Sequence, residues 1–520
     1  MALAADTVWE CRTSATAGNL NGGGFSDSNK GATGVDYSQQ DAAQKTWTAA
    51  GANNDLACVT GTSTLTSASG GFTNAMLGNL INITAGTNFT TGRYMITGFT
   101  DANTVTLDRS PVGGVNGSAG TGYLGGALSS VNRVASEAIP VLVAGNTIYI
   151  KAGTYTAGTS TSGYTSGTNA SPITFIGYNA TRGDNPTSQA NQPVFSQGAA
   201  STFRFAPKTI YRCITFTGSV SNMLTSDDNT TMLYCHIIGS GTGSSINDNS
   251  NQSLRYLFCD FTTPTGTAVV MNNGIFYGCY FHDCKTVFST SGGSVPIAAF
   301  CVFETCDSMG ANSPSMPQVI GCTFYNIRSG YGASVGASSY LGNIFAYCRT
   351  ALTSSASNNL PTSLFNNFFS NNTDVSNYVK GLGDIALDPQ FTSGIVYNTD
   401  GTTNASPGTT FTSAGSNFTG VTTSDYLLVH AGTGATTGCY AISAVAPGGD
   451  TTKLTLSTSP GNSLSGVTFG VVKGTNFTPG TNMKAASFLG TIAGSLAQGY
   501  LDLGAIQRQE AGGGVIYIDD

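Results

Sequence analysis

The sequence predicts an all-β chain whose central part is a right-handed parallel β-helix, a stack of coils of about 22 residues each. Cysteines and asparagines recur through the middle of the chain at this same period. We call these positions the rung column, and its members are Cys213, Cys235, Cys259, Cys279, Cys301, Cys322, Asn343 and Asn366.

Two further columns keep step with the rung column. The aromatic column stands two residues later and comprises Thr215, Ile237, Phe261, Phe281, Phe303, Phe324, Phe345 and Phe368. A third column stands five residues after the rungs and comprises Cys284, Cys306, Ile327, Cys348 and Asn371. Because alternate residues of a strand face the same way, rung and aromatic side chains are expected to point inward together. Identical residues then stack on each other about 4.8 Å apart, coil upon coil.

Composition supports this architecture and excludes several classes of protein. The chain has 520 residues, of which 9% are charged and 10% aromatic, with 68 glycines. Such a chain can bury a core but has few of the residues that favour long helices. The net charge of −7 and the lack of a basic stripe argue against a nucleic-acid partner. There is no apolar run long enough to span a bilayer, so we expect no membrane insertion.

The twelve cysteines are interpreted as reduced, buried packing residues, because the rung column continues as asparagine. A zinc site is one alternative, since Cys279, Cys284, Cys301 and Cys306 form two C-x4-C pairs, although this is not the tight spacing of zinc knuckles. Disulfides between stacked cysteines are another alternative. We expect no metal and no cofactor.

A duplicated segment flanks the predicted stack. Thr410–Pro460 repeats Thr64–Pro111 at a constant offset of 346, apart from three extra residues near Pro447–Asp450. Phe72 matches Phe418 at this offset. Alternating apolar and polar residues with glycine turns predict two small antiparallel β modules. An architectural or contact role suits a duplicated module better than a catalytic one.

These observations divide the chain into five parts. Residues 1–50 are expected to form a cap or attachment segment, with a short helix over Tyr37–Ala50 that covers the first coil. Residues 51–127 are the first β module, 128–391 the β-helix, and 392–480 the second module, inserted before the stack closes. Residues 481–520 are expected to hold a closing coil and a tail, in which Val515–Ile518 could pair with a neighbouring subunit after the hinge Gly512–Gly514.

Several stretches resemble known β-helix proteins. Val141–Tyr155 (VLVAGNTIYIKAGTY) and Ser171–Tyr178 (SPITFIGY) are similar to the first coils of pectate-lyase-like and NosD-like chains. Asp384–Phe391 (DIALDPQF) and Tyr500–Gln507 (YLDLGAIQ) resemble the closing coils of the same superfamily. The N-terminal stretches ADTVWE, NGGGF and DYSQQDAAQ resemble the N-termini of proteins predicted from phage genomes. The resemblance implies the fold and says little about activity.

One group of residues is a candidate catalytic site. Asp260, His282 and Glu304 occupy outward positions on successive predicted coils, with neighbours about 5–8 Å apart. Carbohydrate-active β-helices use two or three carboxylates on an outer face. No paired carboxylates recur on adjacent coils, however, and the favoured interpretation is an ordinary solvated face with a His–Glu pair.

Two functions are therefore carried forward. The first is a structural or adhesive bacteriophage virion protein, such as a tail spike, fibre, neck appendage or capsid decoration. It would be a homotrimer that contacts other virion proteins and a host surface glycan, and it would be made in the host cytoplasm without a signal peptide. The second is a carbohydrate-active enzyme, a polysaccharide lyase or glycoside hydrolase, serving as a phage depolymerase.

Overall fold

The computed structural model describes residues 3–48, 54–130, 142–157, 166–197, 203–205, 207–219, 223–226, 229–248, 254–271, 274–289, 297–310, 318–325, 327, 331–333, 339–346, 348–354, 362–369, 371, 373–376, 379–387, 394–403, 408–423, 425–436 and 438–473. The chain divides into two compact units, Met1–Asp248 with Gln252–Arg255, and Asn249–Asn251 with Tyr256–Asp520. The predicted closing coil and tail within residues 481–520 lie outside the described residues.

Both units contain coils of a parallel β-helix, as the sequence predicts. In the first unit the strands of the first sheet are Gly24–Ser26, Thr7–Cys11, Thr147–Lys151, Ile173–Tyr178, Thr209–Arg212 and Thr231–Leu233. Its second sheet contains Thr154–Ala157, Val194–Gln197, Thr215–Gly218 and His236–Gly239. Its third sheet contains Phe203–Phe205, Leu224–Ser226 and Ser244–Asp248.

The second unit repeats the three-sheet pattern, with Leu254–Leu257 at the division between the units. Its first sheet contains Gly274–Tyr277, Ile297–Ala299, Gln318–Ile320, Ser339–Leu341 and Thr362–Leu364. Its second sheet contains Asp260–Thr262, Tyr280–His282, Val302–Glu304, Thr323–Tyr325, Ile344–Ala346 and Asn367–Phe369. The third side is formed by Thr267–Met271, Thr286–Ser289 and Ser308–Gly310, and by a separate sheet of Tyr331–Ala333, Thr350–Ser354 and Thr373–Ser376.

Each duplicated segment forms a closed antiparallel barrel of six strands. The first barrel runs in the order Leu56–Cys58, Thr64–Ser67, Thr104–Leu107, Gly92–Asp101, Leu80–Thr87 and Gly117–Leu124, with Lys45–Trp47 added beside the last. The second runs in the order Gly394–Thr403, Thr410–Thr412, Lys453–Leu456, Gly438–Val445, Asp425–Ala435 and Gly461–Lys473. Matching strands occupy matching places, so the repeat found in the sequence is one fold used twice.

The remaining regular elements are short 3-10 turns, and the described residues contain no helix long and apolar enough to span a membrane. These turns are Gly18–Leu20, Asp27–Asn29, Tyr37–Gln39, Asn74–Met76, Gln189–Asn191 and Pro447–Gly449.

The aromatic column forms a continuous stack inside the second unit. Phe261, Phe281 and Phe303 pair in register on adjacent strands, and their ring centroids lie 4.4 and 5.0 Å apart. Phe324, Phe345 and Phe368 continue the stack at 4.7, 4.5 and 5.0 Å. Each ring is almost fully buried, and burial of one such ring stabilises the fold by roughly 2 kcal/mol. The column is therefore a principal part of the core.

The rungs stand at the corner between the first and second sheets, one residue before the second-sheet strand begins. The residue before a rung turns the chain by adopting left-handed backbone, with φ of 52° at Phe258 and 62° at Gly278. Glycine adopts this conformation freely, whereas for phenylalanine it costs about 1–2 kcal/mol. The bend directs the rung side chain inward, beside the aromatic column.

Hydrogen bonds explain why cysteine and asparagine interchange in the rung column. The Cys322 thiol donates to the carbonyl of Ala298 at 3.4 Å, three residues before the preceding rung. The Asn343 amide donates to the equivalent carbonyl of Val319 at 3.1 Å. Asn343 also accepts the backbone N–H of Cys322, with a distance of 2.8 Å from that nitrogen to its Oδ1. Both residue types therefore satisfy a buried carbonyl that the corner leaves unpaired.

The rung column extends one step beyond the residues that the spacing identified. Asp384 Oδ1 accepts the backbone N–H of Asn366 at 2.8 Å, as Asn366 does for Asn343 at 2.9 Å. Asp384 Oδ2 in turn accepts the backbone N–H of Gly381 at 2.7 Å. The step from Asn366 to Asp384 is shorter than every other step of the column, which is why the sequence repeat misses it.

The first members of the rung column and of the aromatic column are each corrected by one residue. Cys213 is buried but has φ of 55°, so it occupies the bend position before the rung. Ile214 then takes the place of the rung. Phe216 pairs with Ile237 in the aromatic column, and Thr215 lies on the alternate face. The regular step from Cys213 to Cys235 hid this shift because Cys213 is itself buried.

The predicted helix over Tyr37–Ala50 is wrong. Tyr37–Gln39 is a single 3-10 turn and Lys45–Trp47 is a strand that pairs with the first barrel. Trp47 is fully buried in the core of that barrel, so tertiary packing outweighs the helical propensity of the surrounding alanines and glutamines. The edge of the first coil is covered by strands instead. Thr7–Cys11 pairs parallel with Thr147–Lys151, and Gly24–Ser26 pairs antiparallel on its other side.

Candidate functional site

The structure brings Asp260, His282 and Glu304 together on three adjacent strands of the second sheet in the second unit. His282 and Glu304 are direct register partners, and Asp260 lies on the strand on the other side of His282. All three alternate with inward phenylalanines and therefore lie on the outer side of the sheet. The predicted proximity is observed, and whether the group is catalytic stays a prediction.

His282 is held between two carboxylates. Its Nε2 lies 3.0 Å from Asp260 Oδ1 and 2.8 Å from Thr262 Oγ1, and its Nδ1 lies 2.9 Å from Asp283 Oδ2. Burial alone would lower the pKa of His282, but the hydrogen bonds and charges of Asp260 and Asp283 outweigh it and raise the pKa to about 10. The imidazole is therefore a cation at neutral pH. A general base must instead be neutral near the working pH.

Glu304 is buried, with only 3% of its surface exposed. Its Oε2 accepts a hydrogen bond from the Tyr280 hydroxyl. Burial raises the pKa of Glu304, against the opposing effects of Tyr280 and the His282 charge. Burial and the Glu304 carboxylate also raise the pKa of Tyr280. Tyr280 and Glu304 thus form a buried pair in which the tyrosine keeps its proton.

Sequence reasoning missed Tyr280 and Asp283 as members of this cluster. Tyr280 stacks on the His282 ring with centroids 4.7 Å apart, and it joins the two halves of the group. Its position one residue after the rung Cys279 is the same outward position as that of Asp260 after Cys259. That spacing could have identified it. Asp283 adopts φ of 50°, and no pattern in the sequence indicates this.

The outer face beyond Glu304 is covered. Several outward side chains on the next strands are buried, and these are Val302, Thr323, Tyr325, Ile344 and Ala346. Tyr426, in the second barrel, lies close enough to Tyr280 to contribute to its raised pKa. A polymer approaching from solvent would therefore meet Asp260, His282 and Asp283 but would not reach Glu304. In this arrangement the cluster ties strands together, and its two solvent-accessible carboxylates, Asp260 and Asp283, are both engaged by His282.

The cysteines with described side chains supply no second site. All eleven cysteines whose side chains are described are buried free thiols. Burial raises the pKa of Cys279 and Cys301 well above the usual thiol value, so both remain protonated donors. Among the described residues no group of three or more histidine, cysteine or acidic side chains is placed to hold a metal ion.

A charged network in the first unit fixes the N-terminal segment to the coils. Glu10 is fully buried and accepts from Arg12 Nε at 2.8 Å and Arg182 Nε at 2.7 Å. Arg182 also donates to Asp36 at 2.8 Å, and its guanidinium stacks 4.5 Å from the ring centroid of Tyr149. Each charge has a partner of opposite sign, as buried charges require. The network, which we call the clamp, holds the N-terminal segment in place.

An apolar stripe runs along the outer face of the first sheet in the second unit. The five members on strands lie in register beside the corner, and all six accept, through their carbonyls, a hydrogen bond from the bend residue of the preceding coil. They are partly or largely exposed, and they are Tyr277, Ala299, Ile320, Leu341, Leu364 and Leu382. Phe258 and Phe300 flank Tyr277 edge-on, with centroids 5.7 and 5.5 Å away. Phe258 is 45% exposed despite its left-handed backbone.

Comparisons with known proteins address the fold alone. No family model matches the sequence, and no curated protein matches it. Among solved structures, the crystal structure of pectate lyase Pel9A matches with a TM-score of 0.35 and 13% sequence identity, over 51% of this chain and 78% of that chain. The chain is a parallel β-helix that carries, in addition, two closed antiparallel barrels.

Proposed function

We propose that the chain is a non-enzymatic structural or adhesive protein of a phage particle, assembled as a homotrimer. The proposal rests on the charge and the burial of the residues at the predicted site. His282 is a fixed cation between Asp260 and Asp283, and Glu304 is buried against Tyr280. A repeating stack with its polar groups engaged in internal bonds suits a rigid scaffold better than an active site.

The proposal places the chain in a tail spike, fibre, neck appendage or capsid decoration, in contact with other virion proteins and with a glycan of the host surface. The low charge, the duplicated barrels and the resemblance of the N-terminal stretches to phage-encoded proteins support this assignment. Residues 1–50 are the proposed attachment segment, and the clamp at Glu10 would transmit force from it into the coils.

The test is to locate the protein and to assay it for cleavage. Antibody labelling of intact particles in negative stain should mark one structural position, and the purified protein should leave host surface polysaccharide at its starting length. Labelling that is absent from particles would overturn the virion assignment. Shortening of the polysaccharide by the wild type, but not by Glu304→Gln, would overturn the non-enzymatic assignment.

One observation favours a second candidate, a carbohydrate-active enzyme. A buried carboxyl with a raised pKa is the usual general acid of glycoside hydrolysis, and Glu304 has this property. This function requires the covered face to open and a second carboxylate to approach Glu304. Asp260→Asn and Glu304→Gln should then both abolish cleavage, whereas Asp283→Asn would serve as a control at the exposed edge of the cluster.

A further inference from the structure

We propose that the apolar stripe from Tyr277 to Leu382 is the surface through which copies of this chain associate with one another. The inference rests on the proposed assembly of several copies and names the surface responsible. Five members of the stripe are partly exposed on the outer face of a sheet, where soluble proteins usually place polar side chains, and Leu382, which follows the last strand, is 77% exposed. Contiguous apolar patches of this kind mark interaction sites.

The distribution of charge favours a second copy of this chain as the occupant. In an assembly of parallel stacks about one axis, each stripe residue faces its own equivalents at the same height. A charged residue would then meet a like charge and destabilise the assembly. The stripe carries none, and the neighbouring outward column of Ile275, Ile297, Gln318 and Ser339 is also uncharged.

The regular spacing of the stripe points the same way. The members from Tyr277 to Leu364 pair in register from strand to strand, so they repeat at about 4.8 Å along the stack. A partner that fills the stripe along its length must present side chains at the same spacing. A second copy of the same stack meets this requirement without adaptation.

The area is adequate when the corner aromatics are included. Six residues at this spacing give a surface about 30 Å long, and one strand's width of about 10 Å would cover only about 300 Å². Phe258, Phe300 and the neighbouring isoleucines roughly double the width and bring the surface to about 600–700 Å² per copy. Stable interfaces bury about 800 Å² per partner, so the stripe would supply most of one.

The strained aromatics of the corner fit the same role. Phe258, Phe300 and Phe365 adopt left-handed backbone at positions where Gly278, Gly321 and Gly342 occupy the same place in other coils. Glycine would relieve the strain, yet the aromatic rings are retained and project at the edge of the stripe. Rings at the border of an apolar surface widen the area that a partner can bury.

Ile320→Glu in the full-length chain tests the proposal, because Ile320 lies near the middle of the stripe. Sedimentation velocity at micromolar concentration should show the wild type as an assembly and the variant as a single copy, with an association constant at least tenfold lower. Val59→Glu, a matched change at a residue 58% exposed on the first barrel, should leave the assembly intact. Mixing Ile320→Glu with Ile320→Lys should restore association, which also shows that both variants fold.

Three results would overturn the inference. A wild type that remains a single copy excludes the stripe as a self-association surface, while labelling of particles still decides the proposed virion role. An assembly that persists in both Ile320→Glu and Leu341→Glu places the interface elsewhere. A wild type that is a single copy but sediments with an added host polysaccharide, and loses that binding in Ile320→Glu, assigns the stripe to a glycan instead.

Discussion

The two barrels have similar cores and the same strand order, but they differ at a position where the first barrel contacts the N-terminal segment. Phe72 and Phe418 are buried at matching positions, and Ile96 and Ile442 are buried on matching strands. In the first barrel, Arg93 Nε donates to the carbonyl of Gly22 at 2.9 Å, in the N-terminal segment. The residue at the same offset in the second barrel is a cysteine. Duplication has preserved the core packing, but the arginine through which the first barrel contacts the N-terminal segment is not repeated in the second barrel.

Both barrels contain the same small set of hydrogen bonds, in which one aspartate accepts from a serine hydroxyl and from a backbone N–H; we call this set the bracket. The Ser67 hydroxyl donates to Asp55 Oδ1 at 2.8 Å, and the Ser413 hydroxyl donates to Asp400 Oδ1. The other oxygen of each carboxylate accepts a backbone N–H two residues after the serine, that of Ser69 or Gly415. The bracket ties a strand, at Asp55 just before Leu56–Cys58 or at Asp400 within Gly394–Thr403, to the turn that follows the neighbouring strand. Because both barrels retain the bracket, we infer that the bracket stabilises the fold of the barrel and does not serve its attachment.

The largest expected effect comes from the core. Phe72→Ala and Phe418→Ala each remove a buried ring and should each cost about 3–5 kcal/mol of stability within their own barrel. Hydrogen exchange read by mass spectrometry should show exchange at least a hundredfold faster in the mutated barrel, with the other barrel as the internal control. Unequal losses of stability in the two variants would show that the two cores are not equivalent.

Arg93→Leu should come next, because Arg93 is buried and holds the N-terminal segment. The change leaves the carbonyls of Gly22 and Asn19 without their guanidinium donor and removes a charge 5.9 Å from the Trp9 ring centroid. We expect a loss of about 2–4 kcal/mol, seen as faster exchange and proteolysis around Gly18–Leu20. Arg109→Leu, in the same barrel but partly exposed, is the control and should cost less than about 1 kcal/mol. Equal losses in the two variants would contradict an attachment role for Arg93.

The sequence predicts the structural features that repeat along the chain, but it does not predict those that depend on contacts between distant residues. The rung and aromatic columns and the offset of 346 were visible because they recur, and the structure shows them as stacked side chains and as two barrels. The local sequence predicts a helix at Lys45–Trp47, where the structure has a strand, because the partner of this strand, Gly117–Leu124, is distant in the chain. In the candidate site, the spacing placed Asp260, His282 and Glu304 together. It could not show that Glu304 is covered, since period and spacing carry no information about what packs on an outer face.

Removal of the bracket should have a smaller effect, equal in the two barrels. Asp55→Asn and Asp400→Asn should each cost about 1 kcal/mol. Burial tends to raise the pKa of both carboxyls. Hydrogen bonds from serine and backbone N–H groups lower the pKa by more than burial raises it, so the pKa of each carboxyl lies below the ordinary value of 3.8. The stabilisation by each bracket is therefore complete above about pH 4 and is lost as the pH falls through the lowered folded-state pKa. Scanning calorimetry between pH 5 and pH 2.5 should show a shallower acid destabilisation in either variant, and an unchanged pH profile would refute the bracket.

The smallest expected effect concerns a tyrosine hydroxyl that both barrels retain. Tyr94 donates to the carbonyl of Thr90 at 2.8 Å, and Tyr440 donates to the carbonyl of Thr436 at 2.7 Å. The Tyr94 ring is buried and lies 4.3 Å from the Arg109 guanidinium, whereas the Tyr440 bond is exposed to solvent. Water replaces an exposed hydrogen bond more readily than a buried one. Tyr440→Phe should therefore change local stability by less than about 0.5 kcal/mol, and Tyr94→Phe by about 1 kcal/mol. Hydrogen exchange in the hairpin of each barrel can resolve this difference, and a larger loss in the second barrel would mean that its hydroxyl makes a contact that the first barrel lacks.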